Sequence, residues 1–191
     1  KLPFRTKLVF GLAGLGMNLP DLLLLQWLMK RYVPGTEDAV PLVAPRLFAA
    51  AYMIGRICEA IYCPIIASWT DNFRSANGRR IPFIRRGIIP FALVVFLLYN
   101  PPIDGTSIIN FVYLLVLFQA YLFLYSLVVT PYLALLPELT PDVEERVSLT
   151  VAQSLFLVVS SVCFAFAGVL IATLGYRITA GIVACIAVLS F

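Results

Sequence analysis

The chain has 191 residues, 61% of them hydrophobic and only 13% charged, with a formal net charge of +4 and no histidine. A water-soluble domain carries roughly a quarter charged residues, so this composition points to a bilayer as the solvent. It excludes histidine-based metal sites and proton relays within these residues. The positive charges are scattered over short loops and form no stripe for nucleic acid.

Six apolar runs follow one another, each long enough for a membrane-crossing helix. The spans expected are about 7–32, 43–69, 81–99, 108–136, 149–174 and 176–191, the last still apolar where the sequence stops. The first run is too long for a cleavable signal, is interrupted by Asn18, Pro20 and Asp21, and is followed by further crossings. Between the runs lie turn-forming clusters, among them Pro34-Gly35, Asn100-Pro101-Pro102 and the stretch from Pro137 to Arg146. The four cysteines fall inside apolar runs with no ligand spacing, which reads as small buried residues.

Lys1, Arg5 and Lys7 flank the first run, and Arg74, Arg79, Arg80, Arg85 and Arg86 flank the third. That bias predicts a cytoplasmic N-terminus in an integral, multi-pass protein of a plasma or inner membrane. Among loops on that side, Asp71, Gly78, Arg79 and Arg80 form a short charged turn. Such a turn is suited to latch helix ends or to meet anionic lipid.

Charges inside the runs carry the functional expectation. Arg56 and Glu59 are three residues apart near the middle of the second run, hence on one helical face, and Asp21 lies near the middle of the first. Ionisable groups at that depth pair with one another or face a cavity. With sequential antiparallel helices as neighbours, the three can form one network, either a structural latch or a cation or substrate site. Asn18 lies three residues before Asp21, with Pro20 between them to kink or break the helix. In the fourth run Tyr121 and Tyr125 share a face beside Ser126, suited to stacking on a sugar ring or to ordinary helix packing. Gln153 and Ser154 lie early in the fifth run, and Gly11, Gly14 and Gly16 in the first read as close-packing residues.

The run Gly55-Arg56-Ile57-Cys58-Glu59-Ala60-Ile61-Tyr62-Cys63-Pro64 is similar to a motif of the form Arg-x-x-Asp-Ala-x-x-Asp-Pro. Together with the Gly11/Gly14/Gly16 run, Gly78-Arg79-Arg80-Ile81-Pro82-Phe83, and Tyr125-Ser126 followed by Pro131 and Pro137, it resembles the melibiose-permease-like glycoside-pentoside-hexuronide:cation symporters. These form a branch of the major facilitator superfamily, and the resemblance covers the chain as that family's N-terminal half. It implies an all-α six-helix bundle with a truncated sixth helix, and a C-terminal half-bundle as partner. Glu59 then matches the first cation-site aspartate of the motif, but Cys63 stands where the second belongs and Val129 where a fourth-helix aspartate belongs. Asn18 corresponds to a sugar-binding aspartate, Met17 to the lysine before it, Leu133 to a stacking tryptophan, and Gln153 or Ser154 to an arginine.

The function expected is secondary transport of a sugar, glycoside or similar polar solute by alternating access, with H+ or Na+ as the co-transported ion and no resident cofactor. Cation or proton coupling falls to Glu59, Arg56 and Asp21, and substrate binding to Asn18, Asp21, Tyr121, Tyr125, Ser126 and Gln153. Partners are the solute and membrane lipids, not nucleic acid. A lysolipid transporter and a non-transporting membrane scaffold are the alternatives. With no nucleophile–histidine arrangement, phosphate-cradling glycine loop or metal cluster, the chain does not read as an enzyme.

Overall fold

A computed structural model describes residues 2–35, 40–73 and 79–191. They form an all-α bundle of α1 (Phe4–Tyr32), α2 (Pro45–Asn72), α3 (Ile81–Leu98), α4 (Ile108–Leu133), the single-turn α5 (Leu136–Leu139), α6 (Val143–Ala165) and α7 (Ala167–Ser190). Six spans in it are long and apolar enough to cross a membrane. At 1.5 Å per residue, the 29 residues of α1 extend about 43 Å, more than a bilayer's hydrocarbon core.

Chain punctuation sets the boundaries. Pro45 occupies the first turn of α2, where its missing N–H costs nothing. Ser107 caps α4 by accepting from the Ile109 amide, and Asp142 caps α6 by accepting from the Glu144 amide. Thus α6 begins at Val143, six residues ahead of the expected 149, because Glu144, Glu145 and Arg146 form its first turn and are not loop. α7 contains a reversal. Gly175 has φ 81° and ψ 168°, a conformation open to glycine. Gly168, before it, faces Trp27 of α1, and Tyr176, after it, meets the same tryptophan. Further on, Ser190 packs at Gly16. Residues 167–174 therefore continue the rise of α6, and residues 176–190 descend as the sixth crossing.

The packing order departs from the sequential order. α1 lies against α6 and α7, α2 against α4, and α3 against α4 and α7. The expectation that α1 and α2 are close neighbours is therefore corrected. Glycines explain the choice: a Cβ on Gly11 would stand 2.9 Å from the Ala152 carbonyl oxygen, and one on Gly14 3.0 Å from that of Gln153. Only a residue without a side chain lets α1 and α6 approach so closely. Gly55 plays the same part between α2 and α4, where a Cβ would come within 2.3 Å of the Phe118 ring.

Tyrosine hydroxyls bind the bundle by donating to backbone carbonyls of other helices: Tyr32 to Leu98 (2.8 Å), Tyr99 to Leu23 (2.7 Å), Tyr113 to Leu97 (2.7 Å) and Tyr132 to Phe10 (2.6 Å). Where α4 begins, the fully buried Asn110 amide donates to the carbonyls of Ile103 (2.8 Å), Gly105 (2.9 Å) and Leu42 (3.3 Å) and accepts from the Ile103 amide (3.3 Å). The cysteines correct another expectation. All four are free, Cys58 and Cys63 are half-buried, and Cys163 and Cys185 lie on the outer surface. An apolar outer face is as acceptable to a thiol in lipid as a core is in water.

Candidate substrate and coupling site

Tyr52, Arg56 and Glu59 recur along one face of α2. Arg56 Nη1 donates to Glu59 Oε2 at 2.8 Å, Nη2 donates to the Tyr52 hydroxyl at 3.1 Å, and the guanidinium lies 5.3 Å from the centre of the Tyr52 ring. Tyr52 in turn stacks on Phe118 of α4 at 5.2 Å, which holds the arginine's footing. The sequence spacing anticipates the Arg56–Glu59 pair. It missed Tyr52, although a tyrosine one turn before a membrane arginine was a readable signal.

Asp21 belongs to a different helix pair and remains single. It is half-buried and makes no ion pair or side-chain hydrogen bond among the described residues. The charges of Arg56 and Glu59 nevertheless reach it, and its own charge reaches Tyr121 and Tyr125. All five residues lie in the middle parts of their helices, Asp21 on α1, Arg56 and Glu59 on α2, and Tyr121 and Tyr125 on α4.

On α4, Tyr121 and Tyr125 stack at 5.9 Å with an angle of 15° between rings, and Phe91 of α3 backs both. Tyr121 is 1% exposed, and its hydroxyl has no hydrogen-bond partner among the described residues; Tyr125 is half-buried. Tyr62, three residues after Glu59, likewise has a buried hydroxyl without a partner among the described residues and was not anticipated.

The remaining residues lie on two seams. Ser126 is buried and accepts from the Cys63 thiol at 3.5 Å, bridging α2 and α4. Asn18 turns towards α6, donating to Ser160 Oγ (2.6 Å), the Leu157 carbonyl (3.2 Å) and Ser161 Oγ (3.3 Å) beside an open cleft of about 670 Å3. Gln153 is 9% exposed and packs against Gly14. Asn18 and Gln153 thus share the α1–α6 seam, apart from the charged region. Ser160 and Ser161 could not be found from sequence, being 142 and 143 residues from Asn18.

A second polar cluster ties helix ends where α2 stops and α3 starts. Arg80 Nη2 meets Asp71 Oδ1 at 2.8 Å, Arg80 Nε meets Glu138 Oε1 at 2.9 Å, and Arg79 Nη2 reaches the same oxygen at 3.0 Å. Gly78 lies outside the described residues. Glu138, just after α4, was the member missed by sequence reasoning. At the same end Lys7 pairs with Glu145 (3.4 Å) and donates to Ser148 (2.9 Å), joining the starts of α1 and α6. Among the described residues, no group of three or more His, Cys, Asp or Glu is placed to hold a metal ion.

Residues 9–191 match the family model for MFS/sugar transport protein. The chain belongs to that family. It is 32% identical over 177 residues to an uncharacterized symporter of Synechocystis sp., covering 90% of this chain and 32% of the relative. It is 31% identical over 98 residues to an inner membrane symporter of Escherichia coli, covering 51% of this chain and 21% of the relative. A further E. coli protein, provisionally named a glycoside/cation symporter, is 27% identical over 100 residues, covering 52% and 22%. The matched regions span between about one fifth and one third of these relatives' lengths.

Proposed function

We propose that the protein containing this chain is a secondary transporter of the glycoside:cation symporter kind. It moves a sugar, glycoside or similar polar solute by alternating access, coupled to a cation. The observation that carries this reading is the Arg56–Glu59 ion pair inside one membrane-length helix, with a third ionisable residue, Asp21, inside another. Neutralising a carboxylate there changes the charge balance of the cavity, so ion binding can favour one orientation of the bundle over the other. A second half-bundle, supplied by the same full-length chain, closes the site from the opposite side. The Asp71–Arg80–Glu138–Arg79 cluster acts as a latch that breaks and reforms on a cytoplasmic face, with the N-terminus on that side.

The test is uptake into proteoliposomes of the full-length protein, using sugars, glycosides and lysolipids under imposed proton or sodium gradients, with Asp21→Asn and Glu59→Gln in parallel. Gradient-driven uptake of a sugar or glycoside that both substitutions sharply reduce is the expected result. Uptake restricted to lysolipids would replace the substrate class. A correctly folded protein that takes up none of them would favour a scaffold, a reading that the uncharged Cys63–Ser126 bridge on the α2–α4 seam supports.

A further inference from the structure

The two carboxylates, Asp21 and Glu59, are not equivalent. Glu59 is already neutralised by Arg56 at 2.8 Å, and that arginine's other terminal nitrogen is committed to Tyr52. Asp21 has no such partner among the described residues. Among the described residues, with Arg56 positive and both carboxylates negative, one negative charge is left uncompensated, on Asp21. Resting on the transport reading above, we propose that Asp21 is the group that takes up and releases the coupling proton, and that Glu59 stays ionised against Arg56 throughout. The proton comes from water on one side of the membrane, bonds to a carboxylate oxygen, brings the three side chains to net neutrality, and returns to water on the other side.

The surroundings favour a proton over an alkali ion. A coordinated metal cation needs several oxygens. The titratable groups in electrostatic reach of Asp21 are Arg56 and Glu59 from α2 and Tyr121 and Tyr125 from α4. One of these is itself a cation, one is a carboxylate already engaged by that cation, and two are hydroxyls. α6 and α7, which pack along α1, bring no acid or base to this level. Glu144, Glu145 and Arg146 lie in the first turn of α6, and Arg177 directly follows Tyr176 near the Gly175 turn. On α3, the Tyr99 hydroxyl is spent on the Leu23 carbonyl. Proton binding needs one oxygen and benefits from one hydrogen-bonding neighbour. The buried Tyr121 hydroxyl, without a partner among the described residues, is the candidate for that neighbour. Pro20, adjacent to Asp21, removes one rung of the α1 ladder and gives the helix a place to bend when the charge changes.

The experiment is infrared difference spectroscopy of the full-length protein in lipid, titrated with acid in choline chloride and with no solute present. The expected result is a carboxylic C=O band that appears on acidification, is lost in Asp21→Asn, persists in Glu59→Gln, and changes midpoint in Tyr121→Phe. A band lost in Glu59→Gln but kept in Asp21→Asn would overturn the proposal. So would a change in the Asp21 carboxylate band on replacing choline with sodium at fixed pH. Should Asp21→Asn fail to fold, Asp21→Glu must move the band's frequency, and an unmoved band would also overturn it. A protein that shows the Asp21 band but transports nothing would keep this assignment and remove the transport reading.

Discussion

The Gly55 position on α2 and the Phe118 ring on α4 are so close that a Cβ at residue 55 would stand 2.3 Å and 2.7 Å from two ring carbons. The neighbouring Tyr52 stacks on that same ring and also accepts from Arg56, so one glycine governs both the helix seam and the footing of the membrane arginine. Gly55→Ala is expected to destabilise by about 1–3 kcal/mol through overpacking. Thermal unfolding in detergent checks this, and Gly55→Ala combined with Phe118→Leu should recover most of the loss. A Gly55→Ala protein as stable as the parent would show that the seam opens freely.

Arg56 and Glu59 are expected to behave as a unit. Removing one partner leaves the other charge unpaired at membrane depth, costing about 1–3 kcal/mol with allowance for their partial exposure. The double substitution Arg56→Gln/Glu59→Gln should therefore be more stable than either single one. A double-mutant cycle on unfolding measures the coupling, and additive effects would deny the pair.

Asn110 is expected to be among the least tolerant polar residues. Asn110→Ala would strip the Ile103 and Gly105 carbonyls of their shared donor, while the Leu42 carbonyl keeps the Ser107 amide, and each buried group left unsatisfied costs about 1–3 kcal/mol. The measurement is the folded yield and melting temperature of Asn110→Ala beside Asn110→Asp, which keeps the acceptor for the Ile103 amide. Equal tolerance of both would contradict a hub role.

For the helix-end cluster, Glu138→Gln removes the charge shared by Arg79 and Arg80. Exposed pairs contribute only about 0–1 kcal/mol and are screened by salt. Stability should barely change, while the uptake rate responds and apparent solute affinity does not. Raising the salt concentration should shrink the difference between variant and parent. A large loss of stability with no change in rate would make the cluster structural.

The crossings were legible because an apolar run of membrane length has few other fates, and Gly175 was readable as the break between the fifth and sixth. The Arg56–Glu59 pair was legible because a three-residue spacing puts both on one face whatever surrounds the helix. What failed was everything that depends on which helices meet. Asn18 looked like a neighbour of Asp21, yet its amide is spent on Ser160 and Ser161, a contact decided by Gly11 and Gly14 admitting α6 instead of α2. Glu138 gave no signal because its partners Arg79 and Arg80 lie far back in the sequence. The start of α6 was misplaced because charged first-turn residues look like loop when their cap is not recognised.

The parallel pairing of α1 with α6 also has a cost in time. Lys7 and Ser148 are 141 residues apart, and a ribosome adding about 5–20 residues per second needs roughly 7–30 s to go from one to the other. For that interval the first helix is inserted without its main companion, its row of glycines uncovered and Asp21 without the neighbours that later surround it. Completing the α1–α6 seam therefore requires that α1 still be within reach when α6 emerges. A pause anywhere between α1 and α6 should therefore be more harmful than one after α6 has emerged.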